Sequence, residues 1–136
     1  MSFPALFGYA TTTEGITVRV QPHYAADDSD PETGQWLWHY HIRLENGGGS
    51  TVQLLDRHWI IIDGNGERRD VMGEGVVGAQ PVIKPGGSYD YVSGCPLGTP
   101  GGRMRGHFGM IDPGGRRFEV IIPPFDLVAP AGGFSR

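Results

Sequence analysis

Residues 52–81 read VQLLDRHWIIIDGNGERRDVMGEGVVGAQP. Val52 to Ile62 is rich in β-branched residues and bounded by turn residues, so it predicts one or two strands. Asp63-Gly64-Asn65-Gly66 then punctuates the chain as a hairpin turn does, supplying residues that accept a positive φ. A charged run follows, then Gly73-Glu74-Gly75-Val76-Val77-Gly78, closed by Pro81. The glycines match G-x-G-x-x-G, but dinucleotide binding requires a helix to open within that motif and point its N-terminus at the pyrophosphate. Pro81 and Pro85 interrupt any such helix, and no amphipathic pattern follows. A glycine loop can still hold an anion through exposed backbone N–H groups. Gly73, Glu74, Gly75, Val76, Val77 and Gly78 are therefore a candidate phosphate loop, opposed by the charge of Glu74. The competing reading is that the glycines shape the backbone and any phosphate binding is weak.

Working outward, Ile16-Thr17-Val18-Arg19-Val20 alternates and predicts a strand. So does Trp36 to Asn46, where Trp38, Tyr40, Ile42 and Leu44 share the core face. Ser88 to Ser93, Arg103 to Asp112 and Arg116 to Ile122 add further strands, with Met104, Phe108 and Met110 on one side. The acidic stretch Ala25 to Gln35 lacks calcium-loop spacing and reads as a solvated connection. Gly94 to Gly102 reads as a Pro/Gly loop, and Pro123-Pro124 as a stop. One turn of helix near Val71–Val77 is compatible with the pattern. About seven short strands with frequent turns predict an all-β protein, an antiparallel two-sheet β-sandwich of immunoglobulin-like architecture. Residues 1–14 are expected as a flexible arm, 15–128 as one sandwich domain and 129–136 as a tail.

The 136 residues include 23 Gly and 11 Pro, which suits turn-rich β structure. A formal charge of −4 and scattered arginines with acidic neighbours disfavour nucleic acid as a partner. No apolar run approaches membrane-spanning length, so no membrane insertion is expected. A lone Cys95 allows no internal disulfide, and with no signal peptide recognisable the expected setting is cytoplasmic.

Three sets of side chains bear on chemistry. Cys95 with His107, and Ser93 with His58, are catalytic pairs on paper only, since neither has a nucleophile signature; no catalytic residue or cofactor is expected. His39 and His41 point to one face of a strand and are the weak metal alternative, needing a further ligand such as His107 or an acidic side chain. Arg57-His58-Trp59 combines interface-type residues, with alternation sending Arg57 and Trp59 to one side and His58 to the other.

Arg57-His58-Trp59 and Gly73-Glu74-Gly75-Val76-Val77-Gly78-x-Gln80-Pro81 together resemble the signature of the ApaG family. Ser93-Gly94, Thr99-Pro100-x-Gly102-x-Met104-x-Gly106-His107-Phe108-x-Met110 and Pro123-Pro124-Phe125 continue the likeness over residues 16 to 128. Cys95 departs from it, standing where a small hydroxyl residue is more usual. The resemblance implies a fibronectin type III-like sandwich. It associates the chain with cobalt resistance and magnesium efflux, and with a pyrophosphate or nucleotide at the glycine motif. Related domains fused within eukaryotic F-box proteins and a DNA-polymerase-associated protein imply a protein-interaction module. The expected function is thus a non-enzymatic binding module, monomer or homodimer, whose partner is another protein. Arg57, His58, Trp59 and His107 are its interaction candidates.

Overall fold

The computed structural model describes residues 7–130. Nine strands run in chain order: β1 Tyr9–Thr13, β2 Ile16–Tyr24, β3 Trp36–Asn46, β4 Val52–Asp63, β5 Arg68–Glu74, β6 Val82–Ile83, β7 Ser88–Leu97, β8 Gly101–Ile111 and β9 Arg117–Val128. One sheet has the order β1-β2-β3-β7 and the other β5-β4-β8-β9, with the short β6 pairing β4 beside β5. Every pairing is antiparallel. The two sheets face each other across one apolar core, so the all-β sandwich predicted from alternation is what the chain forms. Among the described residues no helix is long and apolar enough to cross a membrane.

Alternation explains the core. On β3, Trp38, Tyr40, Ile42 and Leu44 are buried. They meet Val18 and Val20 of β2, and Met104, Phe108 and Met110 of β8, in the same cluster. The Trp38 indole N–H donates to the Val128 carbonyl at 3.1 Å, tying β3 to the end of β9. Trp59 packs edge-on against Tyr40 at 5.3 Å between centroids and against Phe125 at 5.9 Å.

Several local expectations are corrected. Within the segment expected as a loose arm, Tyr9–Thr13 is a strand on β2, joined by Glu14-Gly15, both at positive φ. Phe7, just before it, lies 4.9 Å from the His41 ring. Backbone pairing with β2 orders this polar, Thr-rich stretch, which has no apolar stripe to announce it. The predicted loop Gly94 to Gly102 is mostly strand: β7 runs to Leu97 and β8 starts at Gly101. Pro96 is tolerated because β7 is an edge strand with one unpaired side. Pro123-Pro124 likewise fails to stop β9. The register skips between Met104 and Gly106, so the two prolines stand opposite Arg105 in a bulge on an edge strand, where missing N–H groups cost little. Val71 to Glu74 belongs to β5, so no helical turn forms there. The acidic connection instead contains two short 3₁₀ turns, Ala26–Asp28 and Pro31–Thr33. The predicted tail lies outside the described residues from 131 onward.

Candidate functional site

The glycine motif is the tip of the connection between β5 and β6. Val76 and Ala79 exchange both backbone hydrogen bonds, at 2.8 and 3.0 Å. Val77 and Gly78 are thus the two central residues of a tight turn, with φ of +47° and +80°. That is the mirror-image turn that suits hairpin twist and ordinarily takes Asn-Gly or Gly-Gly. Here its first position is a β-branched valine, which strongly resists positive φ. Val76 is fully buried while Val77 is 68% exposed, so the loop is nailed down by one valine and displays the other.

The backbone polar groups of the loop are largely committed inside the protein. The Gly75 N–H donates to the Leu55 carbonyl at 2.8 Å, and the N–H groups of Val76 and Ala79 are used in the turn. Arg57 Nη1 donates to the carbonyls of Glu74 and Gly75 at 3.1 and 2.8 Å. The Gln80 amide donates to Leu55 and the Gln53 amide to Gln80. An anion cradle needs consecutive N–H groups turned outward. Here the N–H groups of Gly75, Val76 and Ala79 are bonded within the chain, leaving those of Val77 and Gly78 at the tip, and Glu74 stands exposed beside it.

The Arg57-His58-Trp59 set divides across the sheet. A bulge at Leu55 shifts the register of β4, so Leu54, Trp59 and Ile61 all face the core. Arg57 shares their side, half-buried, with its guanidinium lying over Gly73, where only a missing side chain leaves room. His58 faces outward and pairs across the strands with His107, the rings 5.3 Å apart. His58 Nε2 lies 2.8 Å from Asp70 and His107 Nε2 lies 3.3 Å from Glu119. Arg68 also holds Asp70, at 2.7 Å. The Arg68 hydrogen bond, then that of His58, keeps the Asp70 carboxyl well below the usual carboxylate range. Met72 and Ile121 flank the two histidines in the same cross-strand row, 68% and 44% exposed.

The remaining candidates do not converge. His39 and His41 lie on the outer face of the other sheet, where His41 and Arg43 both engage Asp90. His107 therefore supplies no third ligand to them. Among the described residues no group of three or more His, Cys, Asp and Glu is arranged to hold a metal ion. Cys95 is buried and faces the core, away from His107, and burial raises its thiol pKa. Ser93 and His58 are likewise on opposite sides of the second sheet. Neither catalytic pairing imagined from the sequence is assembled.

Sequence reasoning passed over the gap between β5 and β7. There Arg57 and Arg69 line a cleft of about 230 Å³ with Tyr40, Ser93 and Cys95. The available signal was parity: Arg57 and Arg69 occupy inward positions on their strands, where apolar residues are the rule.

Fold and site together define a fibronectin type III-like β-sandwich with a glycine-rich hairpin tip. Residues 26–112 match the family model described as the ApaG domain. Protein ApaG of Rhodospirillum centenum is 48% identical over 124 residues, 91% of this chain and 95% of that protein. Protein ApaG of Caulobacter vibrioides is 48% identical over 127 residues, covering 93% and 91%. The crystal structure of the putative ApaA protein from Bordetella pertussis superposes with a TM-score of 0.83 at 41% identity, covering 90% of this chain and 98% of that one. The chain belongs to the ApaG family.

Proposed function

We propose that this chain is a non-enzymatic binding module that contacts another protein through the Val77 tip and the adjoining β5–β6 edge. One observation carries the reading: Val77 is held at φ +47° and is 68% exposed. Such a conformation costs on the order of 1–3 kcal/mol for a non-glycine residue. No burial of Val77 inside the chain offsets that cost, which suits a side chain whose contact is made with a partner. Met72 and Val82, 68% and 60% exposed on the flanking strands, extend the apolar surface on either side of the tip.

The runner-up, pyrophosphate or a nucleotide at Gly73–Gly78, is disfavoured by the N–H groups bonded within the chain and by Glu74. Pairing of Arg19, Arg43, Arg68, Arg103 and Arg116 with carboxylates supports a partner other than nucleic acid. A buried, unreactive Cys95 suits a cytoplasmic setting. On this reading any link to divalent cations is relayed through the partner.

The test is Val77→Asn, which relieves the strain because Asn tolerates positive φ, and removes the apolar contact. The melting temperature should rise while in-cell cross-linking to the partner is lost. Retained cross-linking would refute the Val77 tip as the contact, and no cross-linked partner for the unsubstituted protein would refute the protein-binding reading. Pyrophosphate affinity that strengthens in Glu74→Gln would favour the runner-up.

A further inference from the structure

The two long sides of the sandwich are built differently. On one, β9 packs along β1 and β2: the Ile121 N–H donates to the Thr13 hydroxyl, Arg116 pairs with Glu14, and Tyr9 lies 5.9 Å from Phe125. On the other, β5 and β7 stand apart, and the cleft of about 230 Å³ opens between them.

Its wall is rich in hydrogen-bond donors and has no carboxylate. Arg57 and Arg69 both line it, and among the described residues neither has a carboxylate within ion-pair distance. Arg57 uses Nη1 on two backbone carbonyls, leaving the rest of its planar fork. Arg69 makes a long contact of 3.4 Å to the Pro96 carbonyl and lies beside the Cys95 thiol. Ser93 adds a hydroxyl. Tyr40 adds a phenol that burial keeps protonated, outweighing the opposing effect of Ser93.

Tyr91, two residues before Ser93 on β7, does not line the cleft, and its hydroxyl is fully buried without a hydrogen-bond partner. Guanidinium forks match the planar oxygens of carboxylates and phosphates.

We propose that the β5–β7 cleft binds a small oxyanion, the carboxylate or phosphate group of a small molecule, held by Arg57 and Arg69 with Ser93 as a neutral donor. The volume lies below the roughly 300–1,000 Å³ of sites for drug-sized ligands, which limits the occupant to a compact anion. The site is separate from the Val77 tip and independent of what the tip binds.

The experiment titrates ¹⁵N-labelled protein with inorganic phosphate and with citrate, following amide shifts. Saturable shifts should map to β5 and β7, around Arg69 and Ser93. The tighter of the two probes assigns the group as phosphate or carboxylate. Arg69→Gln should weaken binding at least about tenfold at unchanged melting temperature, as expected for loss of a charge-assisted pair. Ser93→Ala, which removes a hydroxyl from the lining, should weaken it several-fold. Arg105→Gln, an exposed arginine outside the cleft, should change nothing. The proposal is overturned by shifts that map elsewhere, by equal loss in Arg105→Gln, or by no saturable binding of either probe up to about 10 mM, beyond the millimolar limit of weak specific association.

Discussion

Gly75 shows how one position serves the tip. Its φ is +68°, and a Cβ there would run into the Ala79 carbonyl oxygen. Gly75→Ala is expected to lose about 1 kcal/mol or more, read from urea denaturation. Glu74→Gln, at an exposed neighbour, should leave the melting temperature unchanged. Trp38 lies at the opposite extreme of burial, 1% exposed, with its indole N–H satisfied by Val128. Trp38→Ala removes both and should cost about 3–5 kcal/mol, a large part of the stability of an ordinary domain. The importance of Trp38 was legible from alternation. The strain at Val77 was not, because a valine gives no sign of φ > 0 until a turn with two fixed hydrogen bonds requires it.

At the scale of elements, bulges decide which side chains are inside. Leu55 has no partner on β8, and that extra residue lets Leu54 and Trp59 face the same core. Deleting Leu55 would leave Leu54 and Trp59 four positions apart on a regular strand, still on one face, so the variant is expected to keep its near-ultraviolet circular dichroism. The row Arg68–Asp70–His58 across β5 and β4 makes a pH prediction. The carboxyl of Asp70 is depressed in the folded state, so its contribution is present above the unfolded value of about 3.9 and is lost as pH falls below it. The difference in urea midpoint between the protein and Asp70→Asn should therefore be largest near neutrality and shrink steadily below about pH 4. A difference constant from pH 7 to pH 2 would contradict the pairing. Edge position likewise explains why Pro96 and Pro123-Pro124 were misread as strand ends: proline forbids a ladder hydrogen bond only where a neighbour exists to receive it.

The whole molecule separates groups that look associated in the sequence. His39 and His41 are on one outer face, His58 and His107 on the other, and the core lies between. Calorimetry with cobalt or magnesium should therefore show no tight stoichiometric binding by the isolated protein. Micromolar cobalt binding abolished by His39→Ala and His41→Ala would reverse that expectation. The sequence by itself determined the sandwich, the core stripes of β3, β4 and β8 and the family, because period-two alternation and turn chemistry are local properties of the chain. Tertiary structure alone decided that the 9–13 stretch becomes a strand and that three of the loop N–H groups are bonded within the chain. It also decided that Arg57, Arg69 and Ser93 line one open cleft. These outcomes depend on which strands become edges and how two sheets stack, and residues up to 36 positions apart meet there only after both sheets have formed.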